Sequence, residues 1–324
     1  MIANRKDLGL LVLILLVGGI VALINPLFLS PINLANTANL IGLFGIFAIG
    51  QAIVIITGGI DLSVGSVMAL LGVLLVDMLA NLGVPWPIAL LIIPILGIFI
   101  GLIHGLLIVK LKIQPFIVTL CGLLIYRGAA RFFTADATAG FGFGQNFPTV
   151  EWITVGRTFG VPHSFMALLL IGALMWVLLH RTVLGRYLYA VGKNEEAARY
   201  SGVNTSAVII SAYAICGFLT AISAIFFAMY TRSISPSSHG SFYELYAIAA
   251  AVLGGFSLRG GEGSMVGVIL GAVLLQVLQN LVNLLGIPSS LNFAVMGAVI
   301  LFGVLVDSQL AKVRMMLGAT KSGN

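Results

Sequence analysis

Charged side chains are scarce in this sequence. Of 324 residues only 8% are Asp, Glu, Lys or Arg, where an ordinary soluble domain carries about 25%. That scarcity excludes a soluble globular protein, because 60% of the residues are hydrophobic and the mean hydropathy is +1.15. Lipid is the solvent such a chain requires. Cysteine is nearly absent. Cys121 and Cys216 both fall in apolar runs, where the thiol acts as a small hydrophobe, so neither a disulfide nor a metal site is expected. No G-x-x-x-x-G-K-[ST] phosphate loop occurs, which excludes ATP hydrolysis by that route. The four histidines are scattered, and no paired carboxylates or catalytic-triad order mark an enzyme or a bound cofactor. The formal charge of +6 reflects Lys and Arg at the ends of apolar runs and is no nucleic-acid footprint.

What is present is a series of apolar runs. A membrane helix needs about 20 mostly apolar residues, and the runs predict spans at 8–24, 40–57, 62–80, 86–109, 115–131, 163–180, 206–229, 243–257, 264–285 and 290–306. The expected fold is an all-α polytopic bundle of about ten transmembrane helices, one domain over 1–324. Arg5 and Lys6 before the first run resemble a signal sequence, but no small-x-small cleavage site follows, so the run reads as an uncleaved first helix. With both termini cytoplasmic, the inner side collects Arg5, Lys6, Lys110, Lys112, Arg181, Arg186, Lys193, Arg199, Arg259, Lys312, Arg314 and Lys321, as the positive-inside rule requires. Arg157 and Arg232 fall outside, and Arg127 and Arg131 near the outer end of the fifth span. Two connecting segments are long, an outer loop at about 132–162 and an inner loop at about 181–205.

The most specific string is Gly58-Gly59-Ile60-Asp61-Leu62-Ser63-Val64-Gly65-Ser66. Two glycines suit a helix stop, and Asp61 or Ser63 can cap the next helix, whose first N–H groups lack partners. Elementary physics favours a tight cytoplasmic hairpin here. The sharper reading is a break in the membrane that lines a substrate path, with Gly58, Gly59, Asp61 and Ser63 as its residues. A faint echo occurs at 252–258, Val-Leu-Gly-Gly-Phe-Ser-Leu, in the same orientation, although short Gly-rich helix ends recur without duplication. Gln276, Gln279, Asn280 and Asn283 have i, i+3, i+4, i+7 spacing and share one helical face. With His104 and Asn292 they are polar residues inside spans, suited to a water-filled path or to hydrogen bonding between helices. Glu244 and Arg127 lie near membrane ends, where snorkelling is expected. In the inner loop, Glu195-Glu196-Ala197-Ala198-Arg199-Tyr200-Ser201 is a short helix-forming run that Gly202 can end in a left-handed cap.

Read in order, five blocks resemble one family. They are 58–66, Lys112-Ile113-Gln114-Pro115-Phe116-Ile117-Val118-Thr119-Leu120, Thr182-Val183-Leu184-Gly185-Arg186, the run from Tyr189 through Gly192, Asn194 and Ala198 to Val203, and Glu244-Leu245-Tyr246 through Gly255. The chain is similar to permeases of bacterial ATP-binding-cassette importers for ribose, xylose, arabinose, galactose and similar sugars. Tyr246 departs from the pattern, since members often carry Asp there, and this leaves the particular sugar open. The resemblance implies a multi-pass protein of the bacterial inner membrane that moves a monosaccharide, rhamnose-like sugars and small sugar-like ligands such as autoinducer-2 included. It implies cytoplasmic ATPase subunits, a periplasmic sugar-binding protein and a second permease, either a copy or a paralogue. It also makes 195–201 a coupling helix against the ATPase, with Gly192, Asn194, Glu195, Glu196, Ala197, Ala198, Ser201 and Gly202 as the coupling residues; the plain alternative is a solvated loop. An ion-coupled secondary transporter is the rival of another class, and a carrier of that kind usually has acidic residues deep in the membrane.

Overall fold

The computed structural model describes residues 5–142 and 144–288, with isolated positions as far as 301. Twelve α-helices dominate these residues: α1 (Arg5–Ile24), α2 (Pro31–Ile56), α3 (Val64–Ala80), α4 (Trp86–Leu111), α5 (Pro115–Phe133), α6 (Pro148–Val155), α7 (His163–Arg181), α8 (Val183–Lys193), α9 (Glu195–Tyr200), α10 (Thr205–Thr231), α11 (Tyr243–Leu253) and α12 (Met265–Leu284). Nine of the ten predicted spans contain one of them; the tenth, at 290–306, is described only at isolated positions, and Asn292, Lys312, Arg314 and Lys321 lie outside the described residues. Seven helices are long and apolar enough to cross a membrane, while α3 and α11 are apolar but shorter.

Helix α2 is the post of the bundle. It begins nine residues before the predicted span because Pro31 occupies its first turn and the Ser30 Oγ accepts from the Asn33 N–H at 3.3 Å. The three asparagines Asn33, Asn36 and Asn39 lower the hydropathy of that first stretch without stopping the helix. From Ile46 to Ile56 every side chain is buried, enclosed by α7, α10, α11 and α12. Around this post the outer faces of α1, α4, α5 and α7 present Leu15, Leu91, Leu124 and Leu170, each more than half exposed, as lipid-facing helices must.

Close backbone approach sets the tightest packing. On α4 and α10, Gly97 and Gly217 face each other so closely that a Cβ on either would collide with the other's carbonyl oxygen. In lipid, where apolar side chains gain little by pairing, such contact between small residues is a principal source of helix association.

Two connections hold further helices. The outer one carries α6 and two minimal antiparallel pairings, Ala139–Gly140 with Ser233–Ile234 and Arg157–Thr158 with Val161–Pro162. The inner one carries α8 and α9. Helix α8 begins at a cap, with the Thr182 Oγ1 accepting from the Gly185 N–H at 3.2 Å. The sequence reading names these residues but does not see their helix.

Candidate functional site

The segment between α2 and α3, for which the sequence offers a tight cytoplasmic hairpin or a break in the membrane, is irregular and enclosed by helices. Gly58, at φ +81°, turns the chain out of α2, a conformation that costs glycine little. Gly59, Asp61 and Ser63 are then buried, Asp61 being only 3% exposed. The Asp61 Oδ1 accepts from the Ser63 N–H at 2.8 Å and from the Ser63 Oγ at 2.6 Å. Ser63 stands at the N-cap of α3 but makes no side-chain cap, because its hydroxyl is turned to Asp61. Gln51 holds the Asp61 backbone from α2: with its amide oriented to suit both partners, it donates to the carbonyl at 3.1 Å and accepts from the N–H at 3.2 Å.

Other helices complete a polar cluster around this break. From α4, the His104 Nδ1 lies 3.6 Å from the Asp61 Oδ2, and the His104 Nε2 is hydrogen-bonded to the Tyr126 hydroxyl of α5 at 3.0 Å. The Ile60 carbonyl accepts from the Thr119 Oγ1 of α5 at 3.2 Å and from the Tyr213 hydroxyl of α10 at 3.3 Å. A buried charge in a membrane protein is costly unless paired and hydrogen-bonded; here the Asp61 carboxylate accepts two hydrogen bonds from Ser63 and faces the His104 ring. Nothing local in the sequence announces this, since His104, Tyr126 and Tyr213 come from three distant helices.

A second irregular segment, 232–242, runs back along α3. Ile234 packs over Gly72, and Gly240 meets Gly65 so closely that a Cβ on either would strike the other's carbonyl. Arg127 of α5 anchors this segment by donating from Nη1 to the Pro236 carbonyl at 2.9 Å and the His239 carbonyl at 2.6 Å. Glu244, at the start of α11, is 7% exposed. Arg127 and Glu244 therefore point inward, and snorkelling does not describe them. Both ends of the segment are strained, with Arg232 at φ 57° and Phe242 at φ 65°, in the left-handed region that bulky residues rarely adopt. Such outliers gather where function imposes them. The His239 Nδ1 accepts from the Ser235 N–H at 2.9 Å, and burial together with the nearby Arg127 guanidinium holds its pKa below the usual imidazole value.

The polar face predicted on α12 divides along its length. Gln276 is buried, beside a small crevice shared with Phe44 and Tyr246. Gln279 is half-buried and Asn283 exposed. Asn280 exchanges two hydrogen bonds with Asn33 of α2, at 2.8 and 3.0 Å, which is the interhelical reading of this face. Tyr246, the departure from the family pattern, packs its ring on Phe44 and Tyr243.

In the connection after α7, a helix, α9, forms over the run that the sequence marks as helix-forming. The Asn194 Oδ1 caps it by accepting from the Ala197 N–H at 2.9 Å, and Arg199 pairs with Glu195 one turn away. Gly202, at φ +84°, ends it, with the Val203 N–H returning to the Ala198 carbonyl at 3.1 Å. Only Ala198 is buried, and Tyr200 projects at 92% exposure. Helix α8 ties this corner to the bundle: Gly192 passes the Ile56 carbonyl where a Cβ would clash, the Tyr189 hydroxyl donates to the Gly263 carbonyl at 2.8 Å, and Lys193 pairs with Glu262. Burial pushes the Tyr189 phenol up to about 12.

A polytopic helical bundle with two irregular segments among its helices is the architecture of a multi-pass membrane protein. Residues 33–304 match the family described as "Branched-chain amino acid transport system / permease component", and the chain belongs to that family. It is 39% identical to the ribose import permease protein RbsC of Escherichia coli (strain K12), over 94% of this chain and 94% of that one. To the ribose import permease protein RbsC of Bacillus subtilis (strain 168) the identity is 40%, over 93% and 91%. To the galactofuranose transporter permease protein YtfT of Escherichia coli (strain K12) it is 38%, over 87% and 81%. No solved structure matches. The chain is thus a permease of the bacterial cell membrane.

Proposed function

We propose that this chain is the permease subunit of an ATP-driven importer for a monosaccharide, paired with a second permease, fed by a sugar-binding protein outside and driven by separate ATPase subunits inside. The near full-length similarity to permeases named for ribose and galactofuranose import supports the sugar class, and the absence of a phosphate loop fits a motor on another chain. The observation that carries the ATP-driven part is α9. It is too short and polar to persist alone, yet it is capped at both ends, pinned by one buried alanine and open to a partner on its remaining faces. Pushed by a partner, it acts through α8 on the inner end of α2 and the 257–263 turn, since the Gly261 N–H bonds to the Ile56 carbonyl at 2.8 Å. Beyond that end lies the break at Gly58, Gly59, Asp61 and Ser63, which with the facing 232–242 segment is the part of the bundle best suited to open a path.

The Ala198→Pro change tests this. Ala198 N–H bonds to the Asn194 carbonyl at 3.0 Å, and proline there removes that bond at a cost of about 3 kcal/mol to the helix. The expected result is a normally inserted permease that no longer co-purifies with its ATPase; unchanged co-purification and transport would remove α9 from the account. The buried Asp61–His104 pair is the one observation that favours an ion-coupled carrier, and transport that needs no ATPase would support that second reading.

A further inference from the structure

We propose that the outer face of this permease carries a subsite for a single neutral sugar ring, separate from the Asp61 break. A pocket of about 200 Å³ opens between the outer ends of α2 and α10 and the outer connection, bordered by Asn36, Asn39, Glu151, Arg157, Tyr230 and Arg232. A cavity of about 150 Å³ takes a benzene ring, so this one has room for a single small ring.

Its lining matches hydroxyl chemistry. The Glu151 Oε1 accepts from the Arg232 Nη1 at 2.6 Å, which fixes both side chains at the rim, and the Arg157 Nη2 donates to the Asn36 Oδ1 at 3.1 Å. Asn39 is 7% exposed and its Oδ1 accepts from the Ser164 Oγ at 2.6 Å, which fixes its amide at the pocket wall. Glu151, Tyr230 and the two guanidinium groups put both donors and acceptors on the border of the same space. A hydroxyl is both donor and acceptor, so a ring bearing several of them can use this mixture. An anion would face the Glu151 carboxylate and a cation two guanidinium groups. Tyr230, 44% exposed, brings an aromatic side chain to the border of the same pocket. The choice of a monosaccharide rests on the importer reading above; the preference for a neutral polyhydroxylated ring rests on the pocket.

The test uses the whole importer, permease with its ATPase, in two measurements. Saturation-transfer NMR without the binding protein reads direct contact with D-ribose, D-galactose and D-fructose, and reconstituted vesicles with the binding protein read uptake of the same sugars. At least one sugar is expected to give a saturable signal that Glu151→Gln and Arg157→Ala each weaken at least about tenfold, the loss of a hydrogen bond to a charged group. Basal ATP hydrolysis should be unchanged, which shows that the variants fold. Uptake without any saturable signal, or a signal indifferent to both variants, overturns the subsite while leaving the importer reading intact. A signal without uptake keeps the subsite and removes the importer reading. If the variants instead raise only the concentration of binding protein needed to stimulate ATP hydrolysis, the pocket docks a protein and the proposal fails.

Discussion

At the scale of single residues, Asp61 is the most demanding side chain in the bundle. Its carboxylate accepts from two Ser63 donors and faces the His104 ring, so removing it leaves both Ser63 donors short of a buried partner. Asp61→Ala is expected to destabilise the folded protein by about 3 kcal/mol, read as a lowered melting temperature in detergent. Asp61→Asn should lose much less, because its amide oxygen can still accept from Ser63; equal losses in the two variants would show that the hydrogen bonds contribute little. His239 gives a pH signature. Its folded pKa is held below the ordinary imidazole value, so the unfolded chain takes up the proton first. Stability is therefore full above about pH 6.5 and declines as pH falls through that value toward the depressed one, where protonation also removes the acceptor for Ser235 N–H. A melting curve of His239→Gln, with no proton to gain there, should show a shallower decline between neutral pH and pH 5. A decline as steep as in the unaltered protein would assign the effect to other groups.

At the scale of elements, legibility followed locality. Helices α1, α4, α5, α7, α10 and α12 are plain in the sequence because a run of about 20 apolar residues in lipid has no alternative to helix. The short α9 is equally plain, from the Asn194 cap at one end and Gly202 at the other. The segment at 232–242 is not. Its Pro236, Gly240 and serines look like a solvated turn, and only the packing of Gly240 on Gly65 reveals that it lies along α3. The same holds for the Gly58–Gly59 break, where local rules suggest a hairpin and the burial of Asp61 comes from helices 40 or more positions away in sequence. The early start of α2 is an intermediate case, since Ser30 and Pro31 mark it while the asparagines after them obscure the apolar run. Packing of α4 on α10 is testable at this scale. Gly217→Leu drives a side chain against the Gly97 carbonyl and should cost about 1–3 kcal/mol as overpacking, whereas Gly83→Ala, in a turn where a Cβ meets nothing within 4 Å, should cost less despite its φ of +62°. Equal melting temperatures for the two variants would show that the α4–α10 contact can relax.

At the scale of the whole molecule, the membrane class was readable from composition, a sum that needs no knowledge of contacts, while the orientation remains the expectation set by the positions of Lys and Arg. The candidate site was legible in part: the 58–66 string and 195–202 stand out as sequence, but the cluster of Asp61, His104, Tyr126 and Tyr213 exists only once four helices are assembled. The burial of Asp61 also places an acidic residue inside the bundle, the feature that an ion-coupled carrier usually has. What separates the two modes of transport is therefore the energy source. The direct measurement is uptake of a labelled monosaccharide into vesicles carrying this permease and its partner permease, with and without the ATPase and binding protein, under ATP or under an imposed proton or sodium gradient. The account predicts uptake only when ATP, ATPase and binding protein are all present. Uptake driven by an ion gradient with the permease alone would contradict it.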